Sequence, residues 1–251
     1  LSFVFEIDNC HYPMADSYLQ YGIDGVIRIA AETLETLQNN LQSKLQDQTQ
    51  LDIVYLESLL HVWKRFRQFV ADHMVLALEC AKQETSDTKK KRYEKIAKIC
   101  QNLTINKPNT FCEALQLFWF TYLFRSPFGA GCIGRLDQLL YPFYKHDCEM
   151  GIWDQQEAEK MLEEMFTRMN EINTGDTLRN LMLSGQDAKG NDQTNEITYL
   201  ILVAYENTGG SEPHLNVRFH EKTPKKLRDN CINMLSSGSG QPTIYFDEAV
   251  L

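Results

Sequence analysis

The chain has 251 residues, 43% hydrophobic and 24% charged, enough apolar material to bury a core as one large domain or two small ones, and its composition is that of a globular protein. A formal charge of −9, with the one basic run, Lys89-Lys90-Lys91-Arg92, set among Glu84, Asp87 and Glu94 as a solvated helix face, excludes a nucleic-acid footprint. The seven cysteines (Cys10, Cys80, Cys100, Cys112, Cys132, Cys148 and Cys231) form no CxxC pair and fit neither a disulfide framework nor a zinc site, which implies a reducing cytoplasm.

In chain order, the stretch from Met14 to about Leu45 carries Leu19, Ile23, Val26, Ile27, Leu34, Leu37 and Leu41 at helical spacing, and Leu51 to Cys80 repeats the pattern. Both predict long amphipathic helices. A third helix is expected behind Ser86 as N-cap, with Tyr93, Ile96, Ala97 and Cys100 as its apolar stripe. Pro108 then breaks the chain, and Thr110-Phe111-Cys112-Glu113 is a capping-box sequence opening a helix to about Phe124 that is apolar on nearly all sides. The longest apolar runs, such as Leu115 to Tyr122, fall far short of the roughly 18 residues that span a bilayer, so no membrane segment is expected.

After a loop from Pro127 to Gly134 comes an aromatic and proline stretch, and Asp154 is the expected cap of a helix from Gln155 to about Ile172. From there the pattern changes. Short apolar runs at Leu181-Met182-Leu183, Leu215 to Phe219 and Thr243 to Phe246 alternate with helices starting near Thr194 and at Thr223-Pro224, where threonine caps and proline takes the first helical position. The fold class is α/β, a helix-rich first half followed by β/α units, arranged as a barrel or layered sheet behind a helical wrap.

Two segments carry the chemistry: Gly134-Arg135-Leu136-Asp137-Gln138, continuing to Tyr144, and Gly185-Gln186-Asp187, continuing through Gly190-Asn191-Asp192 and Asn195-Glu196 to Leu200. They resemble the signature segments of the glycyl radical enzymes, the group of pyruvate formate-lyase and the radical diol dehydratases. Pro108 to Gln116, Glu212-Pro213-His214-Leu215-Asn216-Val217-Arg218 and Gly238 to Glu248 resemble further family segments in the same order, and Tyr21-Gly22-Ile23-Asp24 fits a family helix. The chain opens at Leu1 and stops at Leu251 within what reads as the middle of an element, so it is read as a fragment of the pyruvate formate-lyase domain: 1–107 mainly helical wrap, 108–251 the first β/α units of a ten-stranded α/β barrel.

The resemblance implies a glycyl radical lyase or dehydratase acting on a small oxygenated or amino metabolite through a thiyl radical. The alternatives are formate C-acetyltransferase-type cleavage of a 2-keto acid, or an inactive scaffold. It implies no bound organic cofactor, a glycyl radical and a catalytic cysteine outside this chain, an activating enzyme that uses S-adenosylmethionine and an iron–sulfur cluster, and a homodimer. The fragment alone is expected to be inactive. None of the cysteines takes the thiyl role by motif, so no catalytic residue is assigned. The loop before Gly134 is implied to line the substrate pocket with Phe128, Gly129, Ala130 and Cys132, and His11 is a candidate polar contact near the first family helix. Gly129 and Ala130 stand where diol-eliminating members carry His and Ser, and Phe246 stands where asparagine is usual.

Read from the residues themselves, Arg135 and Asp137 are more simply an ion pair that fixes a loop, Asn195 and Glu196 a helix cap, and Arg218 a mid-strand charge or ion pair. Cys132 reads as a small wall residue. Asp187 and Asp192 flank Gly190 as a turn and lack calcium-loop spacing. His61, His73, His146, His214 and His220 show no ligand spacing, so no metal is expected.

Overall fold

The computed structural model describes residues 15–39, 46–125, 132–152, 155–172 and 179–250. They fall into two compact units: 16–109 with 116–124, and 110–115 with 125–251 together with the N-terminal stretch to Ala15.

The first unit is helical. α1 (Ala15–Asn39) is followed by α2 (Gln46–Gln83) and α3 (Asp87–Ile105), which pack along each other as a hairpin across the short Glu84–Ser86 turn. The turn is held by the Glu84 carboxylate, which accepts the N–H groups of Thr85 and Ser86 at 3.0 Å each. Ser86 occupies the N-cap position expected of it, but its side chain makes no cap bond. Ala97, Cys100 and Leu103 form the buried stripe of α3. Rings from α2 and α4 (Phe111–Arg125) fill the core: Phe66 meets Phe124 at 5.2 Å, and Phe69 meets Phe120 edge-on at 5.8 Å. α1 breaks at Gly22 (φ 72°), where a Cβ would lie 2.7 Å from the Lys107 backbone; only glycine admits that approach.

The second unit is built on three parallel strands, β1 (Asn180–Ser184), β2 (His214–Phe219) and β3 (Thr243–Phe246), in that spatial order. Register is set by Leu181 opposite Leu215, Leu183 opposite Val217 and Val217 opposite Ile244. Parallel neighbours need long crossovers, supplied here by α7 (Glu196–Thr208) and α8 (Lys225–Ser236). Gly134 adds a parallel bridge to Leu181 on the outer side of β1, and β3 leads into the short helix α9 (Asp247–Val250). Leu181, Leu183, Leu215 and Val217 are fully buried, as are Ile197 and Ile201 of α7 and Leu162 and Phe166 of α6 (Gln155–Glu171).

The aromatic and proline stretch after Gly134 is a helix, α5 (Leu136–Glu149), running through Pro142. Proline removes one backbone donor and normally ends a helix. Here Pro142 sits on the exposed side, and the opposite face, Leu136, Leu140, Tyr144 and the acids Asp137 and Asp147, is buried strongly enough to carry the helix past it. Asp147 then accepts the Phe111 N–H at 2.7 Å, tying α5 to the first turn of α4, where Thr110 and Glu113 exchange the capping-box bonds. At α8 the cap is displaced by one residue. Pro224 is the N-cap, and the Thr223 hydroxyl accepts the His220 N–H at 2.7 Å. Asp154 lies outside the described residues.

Candidate functional site

In parallel α/β sheets, ligand chemistry gathers at the carboxyl ends of the strands, because loops there are set by strands and helix N-termini together. In this sheet that edge holds a continuous polar network. Asp137, in the first turn of α5, is fully buried; its Oδ2 accepts the Ser184 N–H at 2.8 Å and the Thr198 hydroxyl at 2.9 Å. One carboxylate therefore joins the start of α5, the end of β1 and the start of α7. Burial pushes the Asp137 carboxyl above its ordinary range, opposed by the Ser184 amide, the Thr198 hydroxyl, the Arg135 charge and Gln138.

Arg135 donates from Nη2 to the Ser184 carbonyl at 2.6 Å. Asn195 is the N-cap of α7: its side chain accepts the Thr198 N–H while the Thr198 hydroxyl accepts the Asn195 N–H. Gln138 reaches the Gln193 carbonyl at 2.7 Å. The paired segments around Gly134 and Gly185 are thus two halves of one hydrogen-bonded corner.

At the ends of β2 and β3 the network continues. Arg218 Nε meets Asp247 Oδ1 at 2.6 Å, and Asp247 Oδ2 accepts the Gln186 N–H at 2.9 Å. Gly185 (φ 87°) lies so close to this pair that a Cβ would stand 2.7 Å from Arg218 Nε. Between Gly185 and Thr194 the chain forms a tight hairpin, with an antiparallel bridge between Gln186 and Asp192 and the Asp187 carboxylate accepting the N–H groups of Lys189 and Asn191. Those bonds, led by the Asn191 side chain, hold the exposed Asp187 carboxyl below its ordinary range. Asp192 accepts from His220. Sequence reasoning set His220 aside and placed Asp192 in a turn; the signal that joins them exists only once β2 lies beside β1.

Of the residues assigned to a substrate wall, His11, Phe128, Gly129 and Ala130 lie outside the described residues. Cys132 is half-buried beside Ile133, whose N–H donates to the Asn180 carbonyl at 2.8 Å, so it sits at the amino end of β1. Among the described residues no cluster of His, Cys, Asp and Glu is placed to hold a metal ion, and no helix is long and apolar enough to cross a membrane. A cavity of about 660 Å³ opens at the opposite, amino-terminal edge of the sheet, between the ends of α7 and α8, lined by Tyr205, Glu206, His214, Met234 and Gln241.

This is an α/β protein with a parallel sheet, helical crossovers and a polar corner at the strand ends. Residues 9–251 match the family model described as pyruvate formate lyase-like, and the chain belongs to that family. It is 32% identical over 192 residues to the trans-4-hydroxy-L-proline dehydratase of Clostridioides difficile, covering 70% of this chain and 24% of that protein. It is 28% identical over 255 residues to the 4-hydroxyphenylacetate decarboxylase glycyl radical subunit of Clostridium scatologenes, covering 94% of this chain and 27% of that one. The crystal structure of the hydroxyproline dehydratase from Clostridioides difficile with trans-4-hydroxy-L-proline bound superposes with a TM-score of 0.84 at 26% identity, over 94% of this chain and 31% of that structure. The relatives are glycyl radical enzymes, dehydratases and lyases of small molecules. The chain spans about a quarter of the length of the curated relatives it matches.

Proposed function

We propose that this chain is part of a glycyl radical lyase or dehydratase that acts on a small oxygenated or amino metabolite. The observation that carries the reading is the family match over 9–251, with relatives that include a dehydratase of trans-4-hydroxy-L-proline and a decarboxylase of 4-hydroxyphenylacetate. In this reading 1–107 is a mainly helical part, the strands β1 to β3 belong to a ten-stranded barrel, and Phe128, Gly129, Ala130 and Cys132, with His11, contribute to the substrate wall. The radical glycine and the cysteine that forms the thiyl radical supply hydrogen abstraction from elsewhere in the longer protein. The described residues do different work: Asp137, Arg135, Asn195 and Arg218 hold the strand ends and loop in one geometry and keep the interior dry, as a reactive radical requires. An activating enzyme with S-adenosylmethionine and an iron–sulfur cluster, a second identical subunit and a cytoplasmic setting complete the proposal.

A formate C-acetyltransferase-type attack on a 2-keto acid is the second reading. The test is to read the encoding gene past the codon for Leu251 and to activate the full product anaerobically. A cysteine followed closely by a glutamate, with a far C-terminal glycine motif and a glycyl radical signal in paramagnetic resonance, is the expected result, the glutamate serving as general base. Two adjacent cysteines would turn the assignment to acyl transfer. A frame without any such cysteine or glycine would leave only a scaffold and overturn the proposal.

A further inference from the structure

Ser184 ends β1 in the left-handed region (φ 58°), and it is the one non-glycine residue with positive φ among the described residues. It is fully buried. A side chain in that region is strained and persists only where its surroundings over-determine it. Its amide and carbonyl are held by Asp137 and Arg135, as described above. A third restraint comes through the side chain. Ser184 Oγ lies 2.8 Å from Thr194 Oγ1, Thr194 donates to Asp192 Oδ1 at 2.9 Å, and His220 Nε2 approaches the same oxygen at 3.0 Å. His220 is itself anchored by its own N–H to the Thr223 hydroxyl at the start of α8.

The direction of this chain of bonds follows from the donors. An ionised Asp192 only accepts, so the Thr194 hydrogen points to it; the Thr194 oxygen is then left to accept, and the Ser184 hydroxyl donates. For the same reason the His220 proton that faces Asp192 sits on Nε2. The two ends are on different elements, β1 and the turn after β2, and the links between them are the closing residues of the Gly185–Thr194 hairpin. The hairpin is therefore clamped from outside by a residue that belongs to the next β/α unit.

We propose that the His220–Asp192 pair is a positioning device, which, through Thr194 and Ser184, holds the hairpin from Gly185 to Gln193 in a single conformation over the carboxyl edge of the sheet. The proposal goes beyond the functional reading and stands on the bonds around Ser184 alone. His220 and Asp192 act through the hairpin.

The test is amide hydrogen exchange on the whole chain, with ¹⁵N spectra of the histidine rings. Thr194→Val keeps the shape and removes the hydroxyl; Thr194→Ser restores it. Loss of both hydrogen bonds of the Thr194 hydroxyl at a strained corner is expected to speed exchange of the Gly185–Gln193 amides about tenfold or more in T194V, with α7 unchanged, and to leave T194S within about threefold of the parent. D192N is expected to speed the same amides and to shift the His220 Nε2 resonance, whereas T194V leaves that resonance in place. Equal exchange in T194V and the parent, a T194S variant as fast as T194V, or acceleration spread evenly through the second unit would each overturn the proposal. Should T194V fail to fold, H220Q replaces it, and unchanged hairpin exchange there is equally fatal. None of these measurements needs the radical, so an inactive full-length protein would refute the proposed chemistry without touching this result.

Discussion

Arg218 and Asp247 face each other at 2.6 Å across the carboxyl ends of β2 and β3, and Asp247 simultaneously receives the Gln186 amide from beyond β1. One carboxylate therefore reads the position of all three strands. It is 2% exposed, so its charge is stabilised by these partners rather than by water.

Removing the arginine leaves that charge uncompensated. R218M is expected to cost roughly 2–3 kcal/mol at pH 7, toward the lower end of the range for broken buried pairs because the Arg218 side chain keeps some solvent contact. Burial alone would push the Asp247 carboxyl up, but the Arg218 bond, the Gln186 amide and the nearby positive charges hold it below its ordinary range. Because its native value is depressed, its contribution is fully present above the ordinary aspartate range near pH ~4 and is lost as pH falls through the native value. Urea unfolding at pH 7 and pH 3 should therefore show the gap between parent and R218M narrowing in acid. A constant gap would mean the pair is not what the arginine contributes.

Asp137 tests the other corner. D137A strands the Ser184 amide and the Thr198 hydroxyl in a dry interior and is expected to cost about 3 kcal/mol or more. T198V removes one of those donors together with the capping-box partner of Asn195, at about 1–2 kcal/mol. Equal losses from the two variants would contradict the central place of the carboxylate.

Two glycines of the hairpin separate backbone strain from crowding. Both have positive φ, but a Cβ at Gly190 meets nothing nearer than Gln186 Oε1 at 3.8 Å, while at Gly185 it runs into Arg218 at 2.7 Å. G190A is expected to cost about 1 kcal/mol, the left-handed penalty alone. G185A should cost about 2 kcal/mol more, since it also displaces Arg218 from Asp247. Thermal unfolding of the pair of variants decides it, and similar melting temperatures would remove Gly185 from the site.

The cysteines offer a chemical check. Burial pushes the Cys100 thiol up to about 11 and the Cys231 thiol up to about 12, and both are fully enclosed, whereas Cys148 is exposed. The thiolate is the reactive form, so iodoacetamide at pH 8 should label Cys148 in the folded chain and reach Cys100 and Cys231 only after unfolding. Mass spectrometry of tryptic peptides reads this directly, and early labelling of Cys231 would show that α8 opens.

Much of the secondary structure was legible because it rests on local rules. The capping box at Thr110 and Glu113, the apolar spacing of α2 and the strands at Leu181, Leu215 and Thr243 all report short-range physics. α5 was missed for an equally physical reason. Pro142 is a local veto, and the burial of Asp137 and Asp147 that overrides it depends on partners at Ser184, Thr198 and Phe111. At α8 the cap lies one residue later than expected, because the Thr223 hydroxyl is taken up by the His220 N–H; Ser86 holds its expected N-cap position, though without a side-chain bond.

By itself the sequence determined the family, because the Gly134-Arg135 and Gly185 segments carry residue patterns that composition and periodicity do not generate by chance, and it determined the α/β alternation. Only the tertiary structure decided what those motif residues hold. Asp137 and Ser184 are 47 positions apart, Arg218 and Asp247 are 29, and His220 and Asp192 are 28. Pairing over such distances is fixed by parallel strand register and the burial that enforces it, and no local pattern encodes either.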